Sequence, residues 1–115
     1  MSELSFSRRV RLRTPAEFSR VLESGRVVAD DCLVVHLAPN PQGVLRLGLS
    51  IPRRTGNAPR RNRWKRLIRE VFRRQRADLP DGWDLVVRPR RGAICDYARV
   101  ARSLPSLVRR GARST

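Results

Sequence analysis

The segment GNAPRRNRWKRLIREVFRRQR, from Gly56 to Arg76, carries nine basic side chains and one acid, Glu70. Trp64, Leu67, Ile68 and Val71 recur within it at helical spacing, with Phe72 at the margin of the same stripe. At about 100° per residue, Asn62, Arg66, Arg69 and Arg73 fall nearly opposite that stripe. Arg61 and Lys65 fall on one flank, and Arg63, Glu70 and Arg74 on the other. The segment thus predicts an amphipathic helix with an apolar side for a core and an almost wholly positive remainder. A helix that only faces water usually mixes signs, because like charges one turn apart destabilise it. Arg61, Lys65, Arg69 and Arg73 form an unbroken ladder of like charge at that spacing. A phosphate-tracking face explains such a ladder better than a solvated one does.

The rest of the chain repeats the imbalance. Its 115 residues hold 26 basic against 10 acidic side chains, a net charge of +16. Self-repulsion of that size is relieved by a polyanion, and nucleic acid is the leading partner. Lys65 is the single lysine among 25 arginines, which points to a need for a compact, strongly hydrated charge at that position. Asn62 offers both a donor and an acceptor amid the cations, which suits a nucleotide edge, a 2′-hydroxyl or a metal-bound water. A first-turn capping role is its plainer alternative. Arg53, Arg54 and Arg60 extend the charge into the loop before the helix.

Outward from this helix the pattern alternates between helix and strand. TPAEFSRVLESG has Thr14 at an N-cap, Pro15 after it, Glu17 completing a capping box, and Gly25 as a stop. Phe18, Val21 and Leu22 form its apolar stripe. RVVA, CLVVHLA and VLRLGLSI read as strands. Leu33, Val35 and Leu37 face one way, with Cys32, Val34, His36 and Ala38 facing the other. Leu45, Leu47, Leu49 and Ile51 oppose Val44, Arg46, Gly48 and Ser50 in the same fashion. The sheet therefore has one aliphatic face and one that is open or partly covered, and Gly48 permits a close approach on the latter. WDLVVRP gives a last strand, parallel to its neighbour if the long helix joins the two. Asp96 caps a closing helix that Pro105 breaks or kinks.

The expected architecture is α+β, in the order α-β-β-β-α-β-α, a two-layer sandwich of helices on a small, mostly antiparallel sheet. It makes one nucleic-acid-binding domain, for RNA or DNA, over residues 1–115. Residues 1–13 are expected as a basic extended arm and residues 109–115 as a frayed tail.

Several functions lack their residues. His36 is the only histidine, Cys32 and Cys95 are far apart, and Asp30–Asp31 is the only adjacent acidic pair. None of these makes a zinc set or a carboxylate clamp, and no nucleophile or nucleotide-loop motif is present. No apolar run is long enough to span a bilayer, and the N-terminus has no signal-peptide core. The chain is expected in the cytoplasm, with no membrane partner, no small-molecule substrate and no catalytic residue of its own. A structural binder of ribosomal RNA fits composition alone equally well.

The spacing Ala58, Arg61–Asn62, Lys65–Arg66, Ile68 and Arg69 closely resembles the signature of the bacterial ribonuclease P protein subunit, the partner of a catalytic RNA. The likeness extends to EFSRVLESG, LRLGLSIPRR, GWDLVVRPR and the closing helix. It narrows the single domain over residues 1–115 to an RNA-binding domain. It implies an accessory subunit of an RNA-based endonuclease that removes the 5′ leader of precursor tRNA by phosphodiester hydrolysis. It implies that Phe18, Leu22, Val34, His36 and Ser50 line a cleft for the single-stranded leader. It implies that Arg61, Asn62, Arg63, Lys65, Arg66, Arg69 and Arg73, with the loop residues Arg53, Arg54 and Arg60, face the RNA subunit and its ions. Mg²⁺ is then expected to be held mainly by RNA, with no directly ligating residue in this chain. Leu22 and His36 stand where the family often has aromatics, so His36 is a candidate stacking substitute.

Overall fold

The computed structural model describes residues 8–113. Helix α1 (Pro15–Ser24) is followed by strands β1 (Arg26–Ala29), β2 (Leu33–Pro39) and β3 (Arg46–Leu49). Helix α2 (Ala58–Gln75), strand β4 (Trp83–Pro89) and helix α3 (Tyr97–Arg113) complete the chain. The order is the expected one. The strands form a single sheet, β1-β2-β4-β3. β1 with β2 and β2 with β4 are antiparallel, while β3 runs parallel to β4 because α2 carries the chain back between them. The sheet is therefore mixed.

Alternation along the strands sorts the two faces. Leu33, Val35, Leu37, Leu45, Leu47, Leu85 and Val87 join Trp64, Ile68, Val71 and Phe72 of α2 and Val100, Leu104, Leu107 and Val108 of α3 in the main core. Phe72 is fully buried there, not marginal. On the opposite face a smaller cluster of Leu12, Val21, Ala38 and Val86 seats α1 over part of the sheet. Cys32 departs from the expected alternation and packs in the main core. It precedes β2, in a turn where Asp30 Oδ1 accepts from the Cys32 and Leu33 N–H groups at 2.8 and 2.9 Å.

Local chemistry sets the helix ends. Glu17 N–H donates to Thr14 Oγ1 at 3.2 Å and Thr14 N–H donates to Glu17 Oε1 at 3.0 Å, the full capping box. Gly25 ends α1 in an extended conformation, φ −84°. Its missing side chain matters because a Cβ there would lie 2.4 Å from the Leu37 and Val21 carbonyl oxygens. α2 starts earlier than its apolar stripe, at an Asn57 cap whose Oδ1 accepts from the Arg60 N–H at 3.0 Å. Asn62 therefore has no capping role.

Two expectations for α3 are corrected. Pro105 does not break α3, which runs continuously through it. The proline has no N–H for the Ala101 carbonyl one turn back, and Gln75 Nε2 of α2 donates to that oxygen at 2.9 Å. Buried Val100, Leu104, Leu107 and Val108 hold both halves on the sheet. Nor do residues 109–113 fray. Gly111 is buried against Leu37, its carbonyl accepts from Arg26 Nη1 at 2.5 Å, and Arg110 Nη2 reaches the Ala29 carbonyl at 2.8 Å. Residues 114–115 lie outside the described part. So do residues 1–7 of the arm, whose remainder is a short 3-10 turn (Arg8–Val10) and an extended contact in which Leu12 N–H donates to the Leu47 carbonyl at 3.0 Å.

Asp84 on β4 has no solvent exposure. Its oxygens accept from Arg46 Nε and Nη2 at 2.7 and 2.8 Å, from Asn40 Nδ2 at 2.8 Å, and from Arg20 Nη2. Arg46 also meets Glu17 at 3.2 Å, so α1, β3, β4 and the β2–β3 turn share one charge cluster. Arg46→Ala should cost about 1.5–3 kcal/mol, the loss of charge-assisted hydrogen bonds while Arg20 and Asn40 still hold Asp84, read from urea unfolding. Acid should weaken the fold through Glu17 and Asp30. The Arg13 and Thr14 N–H groups hold Glu17 below its ordinary 4.5. Burial works to raise Asp30, but hydrogen bonds from Ser103 and the Leu33 and Cys32 N–H groups, with the Arg110 charge, outweigh it and set Asp30 below 3.8. Both contributions should be complete above those ordinary values and vanish as pH falls through the lower folded ones. Ser103→Ala should shrink the acid dependence of the urea midpoint.

Candidate nucleic-acid interface

With Trp64, Ile68, Val71 and Phe72 turned into the core, α2 shows its remaining circumference to solvent. Asn62, Lys65, Arg66, Arg69 and Arg73 converge with Glu70 on one groove of about 280 Å³. The like-charge ladder is partly relieved inside the chain. Glu70 pairs with Arg73 and lies 2.5 Å from Arg74 Nε. Arg61 turns back so that its Nε donates to the Gly56 carbonyl at 3.1 Å. Arg63 lies outside this groove, beside Pro59, Arg60, Ile94 and Cys95. Of the seven helix residues singled out by sequence, five thus share one surface. Arg53 and Arg54 sit on an exposed 3-10 turn (Arg53–Thr55) before the helix, and Arg60 is exposed on its first turn. Gly56 between them has φ 150°, and a Cβ there would lie 2.4 Å from the Arg60 side chain.

The second surface is the uncovered part of the other sheet face. Register places His36 opposite Val86 and Val27, and Val34 opposite Arg88 and Ala29. Gly48 also pairs with Val86, and Ser50 N–H donates to the Val87 carbonyl at 3.0 Å. Phe18 of α1 is half-buried over Gly48, where a Cβ would stand 2.7 Å from its ring. The space above Gly48 is thus taken by Phe18 rather than left for a ligand. Leu22, one turn beyond Phe18, is 45% exposed, whereas Val34 is only 6% exposed and contributes a small apolar surface. His36 and Ser50 are half-buried. Burial, and then the nearby Arg88 charge, push the His36 pKa below its ordinary 6.5. The imidazole is therefore neutral at pH 7, and its Nδ1 has no hydrogen-bond partner among the described residues.

Arg88 was missed from sequence, hidden in the apolar run WDLVVRP. Only its pairing with Val34 shows that it faces the cleft. The thiols of Cys32 and Cys95 are free, and burial raises the pKa of both. Among the described residues no group of three His, Cys, Asp or Glu side chains is placed to hold a metal ion, and no helix is long and apolar enough to cross a membrane.

The family model for ribonuclease P matches residues 6–111. The chain belongs to the ribonuclease P protein family. The ribonuclease P protein component of Thermotoga maritima is 38% identical over 96 residues, spanning 84% of this chain and 82% of that one. The component from Desulfosudis oleivorans is 34% identical over 114 residues, spanning 98% and 94%. Among solved structures, the T. maritima RNase P protein superposes with a TM-score of 0.78 at 34% identity, over 87% of this chain and 96% of that one. The Staphylococcus aureus RNase P protein gives 0.77 at 30% identity, over 87% and 93%. The mixed sheet and its three helices are thus the ribonuclease P protein fold, and the chain is related to ribonuclease P protein components.

The electrostatics of the cleft are checked by titrating His36 by NMR. Its pKa should lie below 6.5, and Arg88→Ala should move it upward without restoring it fully, since burial remains. Because the unfolded chain takes up the proton first, His36 should lower folding stability as pH falls from 6.5 through the folded value.

Proposed function

We propose that this chain is the protein subunit of ribonuclease P and assists a catalytic RNA in removing the 5′ leader of precursor tRNA. The observation that carries the reading is the pairing of two unlike surfaces on one small sheet. A groove of cations lies outward on α2, and a partly exposed patch with Phe18, Leu22 and His36 lies on the opposite sheet face.

Each surface has its own chemistry. Lys65, Arg66 and Arg69 neutralise phosphates of the RNA subunit, a binding mode that displaces condensed counterions and is therefore salt-sensitive. Asn62, exposed beside them, offers an amide to a sugar hydroxyl or to a water on an RNA-bound ion. In the cleft, Phe18 and the neutral His36 give faces on which unpaired bases stack, worth about 1–3 kcal/mol per base. Arg88 and Ser50 supply a charge and a hydroxyl for the backbone of the same strand. The leader is thereby held extended while the scissile phosphodiester rests in the RNA.

Mg²⁺ belongs to the RNA in this reading. The donor set nearest the RNA-facing groove is four cations, one amide and one carboxylate already paired with Arg73 and Arg74, which does not suit a protein-held magnesium site. The partners are the RNA subunit and precursor tRNA, and the setting is the cytoplasm.

The decisive assay is cleavage of a 5′-extended precursor tRNA at low Mg²⁺ with protein alone, RNA subunit alone, and both together. Correct 5′ maturation enhanced only in the combined sample is the expected result. No enhancement by the protein would instead favour a plain structural RNA binder. Lys65→Ala/Arg66→Ala should lower RNA-dependent cleavage by about tenfold or more at limiting protein, as charge-assisted contacts carry roughly 1.5–3 kcal/mol each. The melting curve should not move, because both side chains stand outside the core.

A further inference from the structure

A cavity of about 440 Å³ lies between the β1–β2 turn, the loop after β4 and the first turns of α3. It shares no lining residue with the Lys65 groove. The β1–β2 turn contributes the exposed Asp31 and the buried Cys32. Helix α3 contributes the exposed Arg99, Arg102 and Ser106, and the loop after β4 brings in Ile94, an aliphatic side chain that is 58% exposed.

The two carboxylates at this cavity differ in what they do. Asp30 is fully committed to the fold. Its Oδ1 accepts from the Cys32 and Leu33 N–H groups, and its Oδ2 accepts from Ser103 Oγ at 2.6 Å. These bonds tie the β1–β2 turn to α3 and hold the two walls in register. Asp31 has no such task. Among the described residues its carboxylate makes no hydrogen bond or ion pair, and neither do the guanidinium groups of Arg99 and Arg102. The Cys32 thiol reports both signs of charge nearby. Burial and the Asp30 charge raise its pKa most, and the Asp31 and Arg99 charges act on it in opposite senses. An open carboxylate and two open cations thus line one cavity of a chain with only 10 acids among 26 bases, and no salt bridge joins them across it.

That arrangement fits a ligand with N–H donors at one end and an anion at the other. A carboxylate with both oxygens open is best met by two adjacent, parallel N–H groups. Guanine presents such a pair on its Watson–Crick edge, N1–H and the 2-amino group. Adenine and cytosine place a ring acceptor beside their amino group, and a carboxylate repels it. Guanidinium forks match phosphate oxygens, and Ile94 offers an apolar surface to the face of a base. The volume falls in the range of about 300–1,000 Å³ that small-molecule sites occupy. We propose that this cavity binds a guanine nucleotide, with Asp31 reading the base, Ile94 covering its face, and Arg99 and Arg102 holding the phosphate. A free nucleotide and an unpaired guanosine in an RNA strand share this chemistry.

The test compares GMP, AMP and CMP by isothermal titration calorimetry on the full chain at one salt concentration. A net charge of +16 attracts every phosphate, so discrimination among bases is the readout. GMP should bind about tenfold more tightly than AMP or CMP, as a bidentate base contact allows. Asp31→Asn should remove that preference and transfer it to XMP, whose 2-carbonyl accepts from the new amide. Arg99→Ala/Arg102→Ala should weaken all the nucleotides together, and the melting curves of these surface variants should match that of the wild type. A second arm compares a single-stranded heptamer holding one guanosine with the same heptamer holding adenosine there. A preference among the mononucleotides names the free nucleotide as ligand, and one confined to the heptamers names the strand. Equal binding throughout both arms, or a guanine preference that Asp31→Asn leaves unchanged, overturns the proposal.

Discussion

The buried carboxylate of Asp84 carries its charge where water cannot reach, and the structure around it is arranged to make that tolerable. Arg46 grips it with two donors, Asn40 adds a third, and Arg20 of α1 adds another. A charge so placed is costly unless it is paired and hydrogen-bonded. Satisfying it fixes where α1 sits, since Arg20 comes from α1 and Glu17 of its capping box meets Arg46. Hydrogen bonding to Asp84 in turn raises the pKa of Arg46, which keeps its charge throughout. The seat of α1 over only part of the sheet leaves His36 and Arg88 partly exposed beside it. The cluster thus links a purely structural necessity to the shape of a candidate binding surface.

The crossover from β3 through α2 to β4 is the second constraint. It forces α2 onto one face of the sheet and so gives the apolar stripe its partner and the basic face its outlook. It also draws the arginine-bearing turns after β3 and β4 to one end of the sheet. The accumulated positive charge is only partly offset by salt bridges among the described residues, because acids are few and several are committed to particular partners. Asp84 and Glu17 hold α1, Asp30 holds the β1–β2 turn to Ser103 of α3, and Glu70 serves Arg73 and Arg74. The positive charge of the helix and loop arginines exceeds what these acids can neutralise.

Much of this was legible from residues alone, and for physical reasons. Periodicity in α2, the Thr14–Glu17 capping box, strand alternation and the parallel relation of β3 and β4 are local or topological consequences of the chain, and each appears in the structure. Asn62, Lys65, Arg66, Arg69 and Arg73 share a groove because helical geometry alone fixes which residues stand one turn apart. Pro105 and residues 109–113 were misjudged for a matching reason. Local rules count the hydrogen bond a proline loses, but not the Gln75 side chain that replaces its donor. They count an exposed terminus, but not the Leu37 side chain packed against Gly111.

Sequence by itself determined the element order, the α+β class, the amphipathic basic helix and the charge that calls for a polyanion, because these depend on neighbours within a turn or a strand. Tertiary structure alone decided the strand order β1-β2-β4-β3, the burial of Asp84 and the packing of Phe18 over Gly48. It alone turned Arg88 into the cleft and gathered Arg54, Arg60, Arg90 and Arg91 around one pocket. Such juxtapositions join residues dozens of positions apart, and only the closing of β3, α2 and β4 into one unit brings their charges together at one end of the sheet.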